Sequence, residues 1–129
     1  MNGPAASPAP LVLVVEEETH EREAIAEHLR EAGYRVCDAS TTDEALSGLE
    51  GSSAIRMVVT DAHVPGAIDG FELARVIRER WPEIGVVLTS GHSDPSSGPV
   101  PDGAAFVAKP YLFEHLGPTL ARLAGRPRP

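Results

Sequence analysis

Short apolar runs that alternate with longer amphipathic segments constrain the fold of this chain more than any other feature. Except for the short run at 34–38, they are rich in aliphatic residues and nearly free of charge, which is typical of strands buried on both faces of a sheet. They occupy residues 11–15, 34–38, 55–60, 84–89 and 104–108. Since each strand but one is followed by a helical segment, we expect an α/β fold with a doubly wound, five-stranded parallel sheet.

Four segments carry helix signals. The first starts at Glu18 or Thr19 and reaches Gly33, a typical helix-ending residue. The second opens with a capping-box pattern formed by Thr41 and Glu44. The last two place apolar side chains at helical spacing, namely Phe71, Ala74, Ile77 and Trp81 in one and Leu112, Leu116, Leu120 and Leu123 in the other. These segments supply the helices that cover the sheet.

The interval between the fourth and fifth strands lacks such a pattern. Residues 91–103 include Pro95, Pro99 and Pro101, and proline breaks the hydrogen-bonding ladder of a helix interior. We therefore expect a loop, with one short helical turn at most, in place of a regular crossover helix.

Length, charge and cysteine content limit the function classes. The 129 residues suit one domain, predicted to span 11–124 after a flexible leader at 1–10 and before a disordered tail at 125–129. A net charge of −8 argues against binding of nucleic acid. No apolar run approaches the roughly 20 residues of a membrane span, and the single Cys37, which excludes an internal disulfide, fits a cytoplasmic protein.

Polar side chains follow the predicted strands at the edge where α/β proteins bind ligands. Glu16 and Glu17 follow the first strand, Asp61 the third, Thr89 ends the fourth, and Lys109 follows the fifth. Two or more acids are what a hard cation such as Mg²⁺ uses. A hydroxyl and an ammonium group suit the oxygens of a phosphoryl group. The combination predicts a site for phosphoryl chemistry.

Other polar residues have simpler explanations. Glu18, Glu21 and Glu23 are accounted for as the solvated, acidic start of a helix, where carboxylates interact favourably with the helix dipole. His63 and His92 fall near the same edge, but no cysteine or third histidine accompanies them at ligand spacing, so a zinc site is not favoured.

The motifs at the strand ends resemble those of the response-regulator receiver domain of bacterial two-component signalling. The matching pieces are Leu-Val-Leu-Val-Val before the acid pair, Val-Val-Thr-Asp61 with Pro65-Gly66 and Asp69-Gly70, Val-Val-Leu-Thr89-Ser90-Gly91, and Phe106-Val-Ala-Lys109-Pro110. The resemblance covers nearly all of residues 11–123. It implies the flavodoxin-like fold with strand order 2-1-3-4-5. The family's fourth helix, which lies between the fourth and fifth strands, is here short or missing.

The resemblance also implies the chemistry of the site. Asp61 would accept a phosphoryl group from a histidine kinase or a histidine phosphotransfer protein, which makes the chain a phosphoprotein of a phosphorelay and at most a self-phosphorylating acceptor, not an enzyme. Magnesium would be held by Glu16, Glu17, Asp61 and the backbone carbonyl of His63, while Lys109 would bind the phosphoryl oxygens.

A switch and its partners follow from the same resemblance. Thr89 would be the switch hydroxyl, Phe106 the rotating aromatic residue, and the peptide bond between Lys109 and Pro110 would be cis. The output would be a conformational change that a downstream protein partner recognises. A homodimer is also allowed. Neither nucleic acid nor a membrane is expected as a partner.

Three departures from the family pattern keep alternatives open. The acid pair is Glu-Glu, so that Glu17 carries one methylene more than the usual Asp and should bind Mg²⁺ less well. The turn after Asp61 is one residue longer than the commonest form, and the proline-rich segment replaces the fourth helix. The first alternative is therefore a pseudo-receiver that binds partners without phosphorylation. The second is a small hydrolase with Asp61 as nucleophile, although His63 stands where such enzymes carry another acid.

Overall fold

The computed structural model describes residues 9–91, 100–109 and 112–124. Its strands are β1 (Leu11–Val15), β2 (Arg35–Ala39), β3 (Ile55–Asp61), β4 (Gly85–Ser90) and β5 (Ala105–Ala108), and its helices are α1 (Thr19–Glu31), α2 (Thr42–Gly51), α3 (Gly70–Arg80) and α4 (Leu112–Ala124). In the described part of the chain, no helix is long and apolar enough to cross a membrane. Outside these ranges lie most of the predicted leader and of the 91–103 loop, His92, the Pro110 peptide bond and the tail.

The five strands form one parallel sheet in the order β2-β1-β3-β4-β5, which confirms the predicted flavodoxin-like fold. Strand order reverses at β1, whose neighbours β2 and β3 lead the chain to opposite edges of the sheet. Such a reversal opens a crevice beyond the carboxyl ends of the strands. Val15 pairs with Thr60 and Asp61 with Thr89, so these three strands end level with one another.

Alternating strand residues divide the core into two layers. On one face, α2 and α3 cover a cluster that includes Leu13, Val15, Val58, Val86 and Leu88. On the other face, α1 and α4 cover a cluster that includes Val12, Val14, Val59, Val87 and Val107. Both faces of every central strand are therefore buried, as the continuous apolar runs predict.

The first two helix starts are capped by the side chains that the sequence pointed to. The Glu18 carboxylate accepts hydrogen bonds from the amides of His20 and Glu21, and the Thr41 hydroxyl accepts one from the Glu44 amide. The third helix begins one residue earlier than its apolar stripe, at Gly70, where the Asp69 carboxylate caps it. These caps fix where each helix starts relative to the strand end before it.

Arg78 of α3 anchors the chain where it enters β5. Its guanidinium donates hydrogen bonds to the carbonyls of Asp102, Pro82 and Ile84, at 3.2, 3.0 and 3.2 Å. Gly103 adopts a φ of +87°, and a Cβ there would lie 2.7 Å from the Arg78 side chain. Of the crossover between β4 and β5, the described residues 91 and 100–104 are not helical. The chain just before β5 is thus tied to α3.

Candidate functional site

Asp61 lies at the C-terminal end of the central strand β3, with a side chain that is 12% exposed. Its Oδ2 accepts a hydrogen bond from the Lys109 Nζ at 2.8 Å, and its Oδ1 accepts one from the His63 amide at 3.0 Å. Both oxygens are therefore held by donors, one charged and one from the backbone. The carboxylate has a fixed orientation at the edge of the sheet.

Lys109, directly after β5, is bound by three carboxylates. Its ammonium lies 2.8 Å from Asp61, 3.1 Å from Glu16 and 3.1 Å from Glu21. An ammonium group has three N–H donors, so each carboxylate takes one of them. The structure thus brings together three of the predicted site residues, Glu16, Asp61 and Lys109. It adds Glu21 to them.

Glu16 is the most deeply buried acid of this group, with 4% of its side chain exposed. Its second oxygen, Oε2, accepts a hydrogen bond from the Glu18 amide at 3.0 Å. Burial raises the pKa of Glu16 to about 7, and the nearby Asp61 charge adds to that rise, although the Glu18 amide and Lys109 oppose it. Glu16 therefore changes its charge near neutral pH.

Asp61 and Lys109 are held in their ionised forms. Burial would raise the pKa of Asp61, but the hydrogen bonds from Lys109 and from the His63 amide outweigh it, and the pKa lies below its ordinary value. Burial likewise opposes the ammonium form of Lys109, but the hydrogen bond and charge of Asp61, together with the other two acids, raise the pKa of Lys109. Around neutral pH, therefore, an ionised carboxylate nucleophile lies next to a cation.

Glu17 lies apart from this cluster. Its side chain is exposed, and its carboxylate makes no hydrogen bond or ion pair with the residues that the structure describes. Its backbone carbonyl accepts a hydrogen bond from Arg22 at 3.3 Å. The two members of the predicted acid pair are thus not equivalent, because Glu16 is buried against Lys109 and Glu17 faces solvent.

The oxygen donors fit a magnesium ion with several water ligands. Across 9–91, 100–109 and 112–124, no three His, Cys, Asp or Glu side chains are grouped so that they could share a metal. Magnesium, however, is commonly bound through only one or two carboxylates and keeps much of its water. Glu16 and Asp61 supply two carboxylates, and His63 follows Asp61 by two residues with its backbone carbonyl.

Thr89 and Phe106 lie on opposite faces of the sheet. Thr89 is buried beside Asp61 in register, and its hydroxyl lies 3.5 Å from the Thr60 carbonyl, to which it donates. Phe106 is partly buried and packs against the cluster under α2 and α3. The predicted switch hydroxyl is thus next to the predicted phospho-acceptor, whereas the predicted rotating aromatic lies behind the sheet.

The longer turn after Asp61 is braced against α2. Thr42 donates through its amide to the Pro65 carbonyl at 2.9 Å and through its hydroxyl to the Ile68 carbonyl at 2.7 Å. The carboxylate of Asp43 accepts a hydrogen bond from the Ala67 amide at 3.2 Å. Gly66 lies so close that a Cβ would be 2.0 Å from the Thr42 hydroxyl. The extra residue is therefore accommodated without loosening the turn.

Glu21 was missed as a site residue, because the interpretation as a solvated helix start explained it without a role. The structure corrects that interpretation, since its carboxylate binds Lys109 from the first turn of α1. A usable signal lies in the strand alternation. Val14, Val59 and Val107 face α1 and α4, which puts Glu16, Asp61 and Lys109 on the same side as the first turn of α1.

Comparison with known proteins identifies the family. A family model described as "Response regulator receiver domain" matches residues 12–116, which is most of the chain. The chain belongs to the response regulator receiver domain family. Receiver domains generally bind Mg²⁺ at their phosphorylation site and interact with histidine kinases and downstream effectors.

Individual relatives are similar across nearly the whole described domain. The C4-dicarboxylate transport transcriptional regulatory protein DctD of Rhizobium meliloti is 34% identical over 113 residues, which are 85% of this chain and 24% of that protein. Across four such regulators, the chain spans 22 to 24% of the length of the relative, about a quarter.

Solved structures agree with this assignment. A response regulator receiver protein from Sinorhizobium medicae is 31% identical, with a TM-score of 0.79 over 89% of this chain and 94% of that one. The response regulator protein TrrA from Thermotoga maritima, solved in complex with Mg²⁺-BeF, is 30% identical, with a TM-score of 0.79 over 88% of this chain and 97% of that one.

Proposed function

We propose that this chain is a phospho-acceptor receiver domain of a cytoplasmic phosphorelay. Asp61 takes a phosphoryl group from a histidine kinase or a histidine phosphotransfer protein, and the resulting conformational change is read by a downstream protein. The observation that carries this proposal is the Asp61 carboxylate, oriented by Lys109 and the His63 amide at 2.8 and 3.0 Å.

The chain's own residues account for the transfer step. A carboxylate oxygen of Asp61 attacks the phosphorus, the bond from phosphorus to the donor breaks, and its electron pair stays on the donor. The Lys109 ammonium, 2.8 Å from Asp61, donates hydrogen bonds to the phosphoryl oxygens as negative charge accumulates there. Thr89, in register with Asp61, supplies the neighbouring hydroxyl that can bond the new oxygens.

Magnesium binding belongs to the same proposal. Glu16, Asp61 and the His63 carbonyl would hold the ion, with Glu17 acting directly or through a water. When bound, Mg²⁺ neutralises charge on the transferred group and so lowers the barrier to attack. The all-oxygen donor set and the excess of carboxylates over the single ammonium support this assignment.

Phosphorylation of the intact protein tests the proposal. With a small acyl phosphate and Mg²⁺, the mass of the wild type should rise by one phosphate, whereas Asp61→Asn should stay unmodified, because an amide is not a nucleophile toward phosphorus. The measurement is intact-protein mass spectrometry. A modified Asp61→Asn protein would place the acceptor on another residue.

One observation favours a second candidate function. Because the Glu17 carboxylate is exposed and makes no hydrogen bond or ion pair with the described residues, the acid pair has only one buried member. A pseudo-receiver that binds its partner without phosphorylation would not require a second buried acid. An unmodified wild type in the phosphorylation experiment would favour that function.

Glu17→Asp is the substitution that tests the metal contribution. An Asp restores the shorter carboxylate, which suits the strict geometry of Mg²⁺ better than the longer side chain does. We expect Mg²⁺ to bind about three- to tenfold more tightly and phosphate uptake to be faster in the variant. Titration of backbone amide NMR signals with Mg²⁺ measures the affinity independently of phosphorylation.

Glu23→Asp is the matched control, since Glu23 is likewise exposed and lies on α1, the helix that follows Glu17. It should bind Mg²⁺ as the wild type does. If Glu17→Asp also binds as the wild type does, the extra methylene has no effect on the metal. If no protein binds Mg²⁺ at millimolar concentration or takes up phosphate, the switch function is wrong and the pseudo-receiver replaces it.

A further inference from the structure

The ammonium of Lys109 has no free N–H in this structure. Asp61, Glu16 and Glu21 each accept one hydrogen bond from it, at 2.8 to 3.1 Å. In the proposed function, this ammonium must donate to the oxygens of a phosphoryl group attached to Asp61. Because its three donors are in use, at least one of the present acceptors has to give up its bond.

Glu21 is the acceptor that can leave most easily. Its side chain is 33% exposed, against 12% for Asp61 and 4% for Glu16, so water can solvate its carboxylate once it is released. Glu16 would instead lose a charge partner in a buried position, which is costly. Asp61 is the residue that takes up the phosphoryl group, so it stays at the site. The exposure of the three acids therefore selects Glu21.

The Glu21 carboxylate is also committed to Lys109 before phosphorylation. Among the described residues, Lys109 is its one hydrogen-bonding and ion-pair partner. The backbone of Glu21 is held in place, since its amide donates to the Glu18 carboxylate at 2.7 Å. A fixed first turn of α1 thus presents a carboxylate to the ammonium without a competing partner.

We infer that Glu21 is a positioning residue that competes with the phosphoryl group for the Lys109 ammonium and so slows the phosphorylation of Asp61. This inference rests on the proposed function. It makes the contact between α1 and Lys109 a restraint on the unphosphorylated site that is released when phosphate arrives.

Glu21→Gln tests the inference, with Glu23→Gln as the matched control. Both substitutions remove one negative charge from α1, but Glu23 is exposed and its side chain makes no hydrogen bond or ion pair with the described residues. Relative to Glu23→Gln, we expect Glu21→Gln to take up phosphate from a small acyl phosphate about two- to fivefold faster, the range of a partly exposed ion pair. Beryllofluoride, a phosphoryl analogue, should bind more tightly by a similar factor.

A spectroscopic readout separates positioning from a structural effect. Lys109 is the only lysine in the sequence, so ¹⁵N-lysine labelling yields a single Nζ signal. That signal should move when wild type binds beryllofluoride, and Glu21→Gln without beryllofluoride should already show part of the movement. Glu23→Gln should leave the signal unchanged, and both variants should melt within about 2 °C of the wild type.

The outcomes distinguish this inference from the proposed function. If wild type takes up phosphate and the two variants react at equal rates, or Glu21→Gln is slower, the competition by Glu21 is wrong while the receiver function stands. An Nζ signal that Glu21→Gln does not move would also overturn it. If no protein takes up phosphate or binds beryllofluoride, the proposed function fails, and the inference fails with it.

Discussion

Gly70→Ala should destabilise the fold by about 3 kcal/mol and disable the site at the same time. A Cβ at position 70 would lie 2.0 Å from the Asp61 carbonyl oxygen and 2.8 Å from the Ala62 Cα. Both are backbone atoms, which cannot rotate away as a flexible side chain could. Either α3 must move off the sheet or the end of β3 must shift. In the second case the Asp61 carboxylate leaves Lys109 and His63.

Urea unfolding measures the free energy of unfolding, and phosphate uptake by the folded fraction measures the effect on the site. Gly48→Ala is the matched control, since Gly48 lies within α2 and a Cβ there meets nothing within 4 Å. That substitution should stabilise the helix by about 0.5 to 1 kcal/mol. A Gly70→Ala protein as stable as wild type would show that the close approach of α3 to β3 is not required.

Lys109→Met should produce the largest loss of function among variants that keep the acceptor. Without the ammonium, the phosphoryl oxygens lose their charged donor, and removal of one such donor typically costs about 100-fold or more in rate. The variant should also lose about 3 kcal/mol of stability at pH 8, because Asp61 and Glu16 then lack a counter-ion in a buried position.

The pH dependence of this loss has a defined sign. In wild type the pKa of Glu16 is raised from 4.5 to about 7, mainly by burial, so the stability contributed by its neutral form is complete below pH 4.5 and lost as pH rises through 7. Without Lys109, burial would also raise the pKa of Asp61 instead of leaving it lowered. Ionisation of two buried carboxyl groups would then destabilise the variant over that pH range. Lys109→Met should therefore lower the free energy of unfolding more at pH 8 than at pH 5.

Arg75→Met provides the control for removing a cation with two carboxylate partners. Arg75 pairs with Glu72 and Glu79 on the exposed face of α3. Solvent screens such pairs, so this variant should lose little stability and show the same loss at pH 5 and pH 8. Unfolding by urea at both pH values compares the two variants. A loss with Lys109→Met that is equal at both pH values would contradict the buried-charge account.

Much of the fold could be predicted from the sequence because its three central strands are buried on both faces. Leu11–Val15 was assigned with its observed bounds, and the other strands were displaced by no more than one residue at either end. The level ends of the parallel strands made the meeting of Glu16, Asp61 and Lys109 predictable, since each residue follows directly from a strand or ends one.

Side chains beyond the strand ends were harder to place. Glu17 follows Glu16 by one residue, yet one is exposed and the other buried, because the alternation of the strand stops at Val15 and the loop conformation decides the rest. To place the Glu21 side chain, one must know which face of the sheet α1 covers and how close the first turn of α1 comes to the end of β5. Sequence spacing within one helix does not contain that distance.

The surroundings of Lys109 also determine how the partners of this protein can be captured. Amine-directed cross-linkers need an unprotonated amine, and the only lysine side chain is held as an ammonium among three carboxylates. Such reagents should react slowly at this side chain, and reaction there would remove the charge that the site depends on. Carboxylate-directed coupling has 19 acidic residues to choose from. Exposed acids such as Glu23 and Glu27 on α1 would then link a bound partner while Asp61 stays shielded.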